Sequence, residues 1–421
     1  MLADGGRPER LTKPDGGASG YAHVFPQRLP GTRDLLFGFW GQSFYSARLS
    51  VADGRWLQIT RPALAGAPAH IFSPTGHLLT NDGLGGVMAG RWDPAGAASA
   101  LVETPVLADV NWAISSERSW IAVSDSGTVV YVPGNPGKRH LVWLDRQGRV
   151  TQLPGENDLL HQATISRDGR RVVYGGLKSQ WIVDLATGTR TRIIGEVRSW
   201  HGGWLPGDDR LVVSSNKDGD WDLYTVSATG GELQPLLDKP FAQHVQAVFP
   251  DGTIVYLERN PTSGSDLWRL SPDGQQSPLI VTPYNEASAS ISADGKYMAY
   301  VSDESGRNEV YAIPASGKGQ RVTISIDGGT GPVWSRDGSE LFYRTGDDLM
   351  SVTVSTTAGL VLGERRRLLD LSRYDSGYFH EFDVSADGRR FLLIRTEAES
   401  RPTRLDVVVN WVEELKRLVQ R

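Results

Sequence analysis

Six of the eight histidines stand at a recurring place in this sequence. His23, His161, His244 and His380 each precede a turn glycine by eight residues, and His70 and His201 precede theirs by six. Even offsets would put all six on one side of an extended strand. Imidazoles gathered in that way could hold a metal, bind an anion or titrate near neutrality. The competing explanation is that a polar, turn-compatible residue is needed there. Ala287 and Thr330 occupy the same phase elsewhere, which favours that simpler view.

Other chemistry-bearing residues are sparser. Asn216, Asp218, Asp220 and Asp222 alternate as oxygen ligands do in a calcium loop. Val226 and Ser227 stand where the bidentate Glu would fall, so a polar connection between strands is the plainer reading. Trp112, Trp200, Trp221 and Tyr284 lie in or near connections, where they could face a ligand or be partly buried. Motifs of the G-x-S-x-G, phosphate-loop and H-E-x-x-H kinds do not occur. With no cysteine, disulfides and thiolate chemistry are excluded.

The elements that must position these residues follow from one repeated phrase. It reads SRDGRRVVY at Ser166–Tyr174, FPDGTIVYL at Phe249–Leu257, SADGKYMAYV at Ser292–Val301, SRDGSELFY at Ser335–Tyr343 and SADGRRFLLI at Ser385–Ile394. Copies at Leu29–Phe37, Ser73–Thr80, Ser124–Val132 and Leu205–Val213 bring the count to nine, spaced 38–51 residues apart. Asp-Gly between apolar runs signals a tight hairpin. A third strand follows with an acid at or before its start, at Asp222, Asp266, Glu309 and Asp348. A second turn then leads to a fourth strand. Four antiparallel strands at this period make an all-β chain, a β-propeller of about eight or nine blades.

The expected organisation is an N-terminal tail and blade-closing strand in 1–20, a propeller over 21–412 and a short helix over 413–421. Residues 6–12 have the character of a fourth strand, and Arg404–Val412 that of a third strand for the ninth hairpin's blade. Pairing the two would close the ring. The alternative is a six-bladed ring from about Val150 onward with a partial N-terminal unit. In the helix, Leu415, Leu418 and Val419 form an apolar stripe expected to pack on the last blade.

The S-x-D-G phrase followed by [DE]-[LIV]-[YW] resembles the WD40-like (PD40) repeat of the periplasmic protein TolB. The segment Ser288–Gly317 and the ending FDVSADGRRFLLI…LDVVVNWVEELKRL more specifically resemble the C-terminal extracytoplasmic propeller of bacterial membrane serine/threonine kinases. That resemblance covers about Gly5 to Val419 and implies a periplasmic sensing or interaction module. The chain departs from those kinases in having no Gly-rich nucleotide loop, no HRD-type loop and no DFG, and in starting in mid-repeat. A truncated or separately encoded propeller is therefore expected. Oligogalacturonate lyase, a propeller enzyme with a histidine-held channel metal, is similar in the histidine feature alone.

Net charge of −5 advertises no basic face, so no nucleic-acid partner is expected. No apolar run of 18 residues and no leader-like N-terminus occurs, so no membrane segment is expected. The functional expectation is a non-catalytic, monomeric module binding a protein, peptide or glycan. Its ligand residues would be His23, His70, His161, His201, His244, His380, Trp200 and Tyr284 at the channel mouth, without a cofactor. The alternative is a metal-dependent lyase or hydrolase built on those histidines.

Overall fold

The S-x-D-G phrase builds its hairpin through its own side chains. Ser166 Oγ donates to Asp168 Oδ1 (2.5 Å) and accepts from the Arg171 amide (2.9 Å), while Asp168 Oδ1 also accepts from the Arg170 amide (2.9 Å). The same bonds recur at Ser335/Asp337 and Ser385/Asp387. The turn glycine is left-handed, with φ of +74° at Gly169 and +71° at Gly338, a conformation that costs other residues. The computed structural model describes residues 22–40, 45–59, 71–73, 75–81, 86–93, 103–113, 118–134, 139–154, 160, 162–175, 179–195, 197, 199–260, 263–357, 359–375, 382–396 and 404–419. Among them are eight four-stranded antiparallel sheets, one three-stranded and one two-stranded sheet, and one helix. The all-β propeller architecture expected from the repeats is what these strands form.

The chain divides into two compact units, 1–137 with 399–421, and 138–398. The larger unit is a closed ring of six blades. Blade 1 comprises Gln162–Ile165, Arg171–Gly175, Ser179–Asp184 and Arg190–Gly195. Blades 2, 3, 4 and 5 begin with innermost strands Ser199–Trp204, Gln243–Val248, Glu286–Ile291 and Thr330–Trp334. Blade 6 is composite: Asp383–Val384 and Arg390–Thr396 come from late in the chain, Arg139–Asp145 and Val150–Gln152 from before blade 1. Its central ladder runs from Arg139↔Thr396 to Asp145↔Arg390 without a break. Innermost strands touch around the ring, and blade 6 meets both blade 1 and blade 5. A closed ring leaves no strand edge between its first and last blades.

This arrangement replaces the nine-bladed ring. The third strand of the last blade is Arg139–Asp145, not Arg404–Val412; Asp406–Val408 instead pairs with Val129–Tyr131 in the smaller unit. Strand pairing is settled by which ladder and core fit, not by chain order. The proposed closing strand at 6–12 lies outside the described residues. The larger unit has six blades, as in the alternative, and takes in Arg139–Asp145, ahead of the Val150 start expected for it.

Packing between blades explains the aromatic repeats. Tyr174, Tyr256, Tyr300 and Tyr343 hold equivalent places in the second strands and are each at most 2% exposed. Trp204 and Trp334 in innermost strands donate their indole N–H to the preceding blade, to Thr164 O (3.3 Å) and Ser290 O (3.2 Å). Each indole thus buries its area and satisfies its single donor.

In the smaller unit, Leu29, Leu36, Phe72, Leu78 and Trp92 join the first two sheets, Ala22–Arg28 to Trp56–Gln58 and Ile71–Phe72 to Thr104–Leu107. The helix Trp411–Val419 buries Trp411 and Leu415 in a core with Leu79, Val87, Ala89, Ile121 and Val129. The stripe thus includes Leu415 as expected. It packs on Val87–Arg91 and Thr104–Leu107 of the smaller unit.

Candidate functional site: the channel of the six-bladed ring

Innermost strands enter the ring at one face and leave it at the face of the S-x-D-G turns. At the turn end, all six leave a cavity of about 260 Å³ between them, lined among others by Thr164, Trp204, Gln246, Ser290, Arg336 and Asp383. Two guanidinium groups bound it. Arg167 of blade 1 donates to Trp204 O (3.4 Å), Val248 O (2.9 Å) and Phe249 O (3.0 Å). Arg336 of blade 5 donates to Ser166 O and Arg167 O, each at 3.0 Å. These arginines tie blades together across the channel while leaving positive potential at its wall. Burial pulls Arg167 below the usual guanidinium range.

Asp383 supplies the opposite charge. It accepts from the Ile165 amide of blade 1 (2.8 Å) and from the Val384 amide (2.7 Å). Burial raises its carboxyl above the ordinary value, and the Arg336 charge works against that rise. The cavity thus offers fixed donors, one half-buried acid, hydroxyls and an indole edge. Asp383 carries no signal in the repeat, because it does its work between blades. Arg167 and Arg336 do share one position, the x of S-x-D-G, which is the sequence mark that could have found them.

Among the described residues no histidine lines this cavity. His244 sits in Gln243–Val248, paired with Leu257, 9% exposed, its ring 5.3 Å from that of Trp221. Trp221 is buried and contacts Trp200 edge-on at 6.3 Å. Trp200, His244 and Trp221 therefore do come together, near the strand starts. Tyr284 is 44% exposed in the connection before Glu286–Ile291. His23 and His201 lie in strands, but their side chains fall outside the described residues, as does that of Trp112. His70, His161 and His380 lie outside the described residues altogether.

Ladder register shows that the described strands do not share one histidine phase. Opposite the fourth residue of the second-strand ladder stand Gln162, Trp200, His244, Ala287 and Thr330. His201 is one residue past that place, paired with Val213. The innermost strands of blades 2 and 3 carry the same one-residue bulge; the slip arises at the turn, where the last paired residue Trp204 lies three residues before Gly207 but Val248 lies four before Gly252. Among the described residues no group of three or more His, Asp or Glu comes together as a metal site.

The acid run Asp218–Asp220–Asp222 is a blade connection. Asp218 accepts from the Tyr224 hydroxyl at 3.0 Å. Burial, with Asp238 and Asp220 nearby, pushes Asp222 to about 6 against the opposing Lys239 amide bond.

No protein-family profile matches the chain. A TolB homologue from Chlorobaculum tepidum is 26% identical over 107 residues, 24% of this chain and 25% of that protein, so the match spans a quarter of the relative's length. The solved putative TolB from Agrobacterium tumefaciens superposes with a TM-score of 0.53 at 17% identity, covering 62% of this chain and 99% of its own. TolB from Acinetobacter baumannii gives a TM-score of 0.43 at 14% identity over 88% of this chain and 79% of its own, too low to carry an argument. The resemblance read from the repeats holds at the level of fold: this chain contains a TolB-like β-propeller.

Proposed function

We propose that the six-bladed ring is a binding module whose channel receives a projecting side chain of a protein partner. The observation that carries this is the cavity of about 260 Å³ built by all six innermost strands. That volume lies just under the range typical of whole small-molecule sites and suits a single anchoring group. A rigid ring with variable connections also presents its rim at no cost in ordering entropy. Following the kinase-propeller resemblance, we assign the module to extracytoplasmic sensing, with a peptide as the minimal ligand.

The test is a peptide array and a glycan array probed with the full chain and with Ser290→Trp, which fills the cavity from its wall. The expected result is selective peptide binding that Ser290→Trp weakens at least tenfold, as the loss of one anchored side chain would. Binding of glycans alone, or peptide binding indifferent to the added indole, would overturn the reading.

A further inference from the structure

Each blade interface brings the start of a third strand beside the start of the next blade's first strand. Among the four interfaces from blade 1 to blade 5, one is unlike the others. Between blades 1 and 2, Gln180 Nε2 donates to Ser199 Oγ at 2.9 Å, a contact of two neutral groups. Between blades 2 and 3, Asp222 and Glu258 are accompanied by Lys239, which ion-pairs with Glu258 and donates its amide to Asp222 (3.4 Å). Between blades 4 and 5, Glu309 is met by Arg307 Nε (2.8 Å), the Gly328 amide (2.8 Å) and the Ser325 hydroxyl.

Between blades 3 and 4 stand Asp266, 2% exposed, and Glu286, 1% exposed. Asp266 Oδ2 accepts from Ser263 Oγ (2.5 Å); Glu286 Oε1 accepts from Thr282 Oγ1 (2.6 Å) and Ser302 Oγ (3.4 Å). The remaining oxygens, Asp266 Oδ1 and Glu286 Oε2, have no donor. Thr282 precedes Glu286 by four residues, as Lys239 precedes Gln243, so a hydroxyl stands where the neighbouring interface has its cation. No Lys or Arg among the described residues ion-pairs with either acid; the other charge acting there is Asp303, another carboxylate. Orphan polar atoms also occur on the amides Gln162, Gln180 and Gln243 at related places, and a water molecule would satisfy those. Water does not neutralise two buried carboxyls when both are ionised.

We propose that Asp266 and Glu286 bind one small, hard cation of the calcium class between blades 3 and 4, through Asp266 Oδ1 and Glu286 Oε2. The ligand atoms are all oxygen, which selects against zinc and copper. The Ser263, Thr282 and Ser302 hydroxyls hold the other carboxylate oxygens and aim the free ones, as outer partners of metal ligands do. Water completes the shell. The ion would join two blades at the face opposite the channel cavity, and the proposal stands independently of what the channel binds.

The experiment is calorimetric titration of the EDTA-treated full chain with CaCl2 at pH 7.5, alongside thermal unfolding with and without the ion. The expected result is one saturable site and a Tm raised by calcium, both abolished in Asp266→Asn and Glu286→Gln but retained in Asp222→Asn. Two results would overturn it: no saturable heat and no calcium-dependent Tm in the unmutated protein, or calcium binding that survives both substitutions. In the first case, a rise in Tm for Glu286→Gln without calcium would show that the pair holds a proton instead. Should a variant fail to fold, the titration of the unmutated chain still decides.

Discussion

Glu286 shows how a repeat position becomes a titrating group. Burial, with the Asp266 and Asp303 charges nearby, pushes its carboxyl to about 7 against the opposing Thr282 and Ser302 hydroxyl bonds. An unfolded Glu titrates near 4.3, so between the two values the folded protein binds the extra proton. Stability from this group is therefore full below the unfolded value and is lost as pH rises through about 7. In EDTA, Glu286→Gln is expected to flatten that fall and to stabilise the protein by roughly 3 kcal/mol at pH 8, read from urea unfolding across pH. A pH profile unchanged by the substitution would refute this environment for Glu286. The acids at the third-strand starts were legible in the sequence as a recurring phrase, and so were the turn residues. What the phrase could not show was which acid keeps a cation: Lys239 and Thr282 sit in connections that follow no repeat.

Among elements, the innermost strand carries both the legible and the illegible parts of the fold. Its S-x-D-G exit is fixed by local bonds and a left-handed glycine, so it is visible in a single copy. Its bulge has no such mark, so a residue's place in the innermost ladder cannot be read from its distance to the turn glycine. Gly202, in the bulged stretch of Ser199–Trp204, shows what the bulge demands: an added Cβ would lie 2.1 Å from the Cβ of Val245 in blade 3. At Gly338 an added Cβ meets nothing within 4 Å, and only the φ of +71° resists it. Gly202→Ala should therefore cost roughly 3 kcal/mol through overpacking, and Gly338→Ala about 1 kcal/mol through backbone strain. Denaturant midpoints with equal m-values would measure both. Equal costs would contradict the close approach of blades 2 and 3.

At the scale of the molecule, the closure of the ring was the least legible feature. Arg139–Asp145 and Arg390–Thr396 are far apart in sequence, and no local pattern says that they pair. Nine similar hairpins argued for one ring, yet the ladders close six blades and give Asp406–Val408 to the smaller unit. The cavity depends on that closure. The chain has no cysteine, so a single engineered pair reports on it cleanly. His140 and Arg395 face each other across the blade 6 ladder. Facing residues on antiparallel strands lie about 4.5–5.5 Å apart at Cα, within the span a disulfide bridges. The account predicts that oxidised His140→Cys/Arg395→Cys forms an intramolecular disulfide in nearly every molecule and raises the Tm, while Arg395→Cys/Val407→Cys does not crosslink. Crosslinking of the second pair in place of the first would contradict the six-bladed ring.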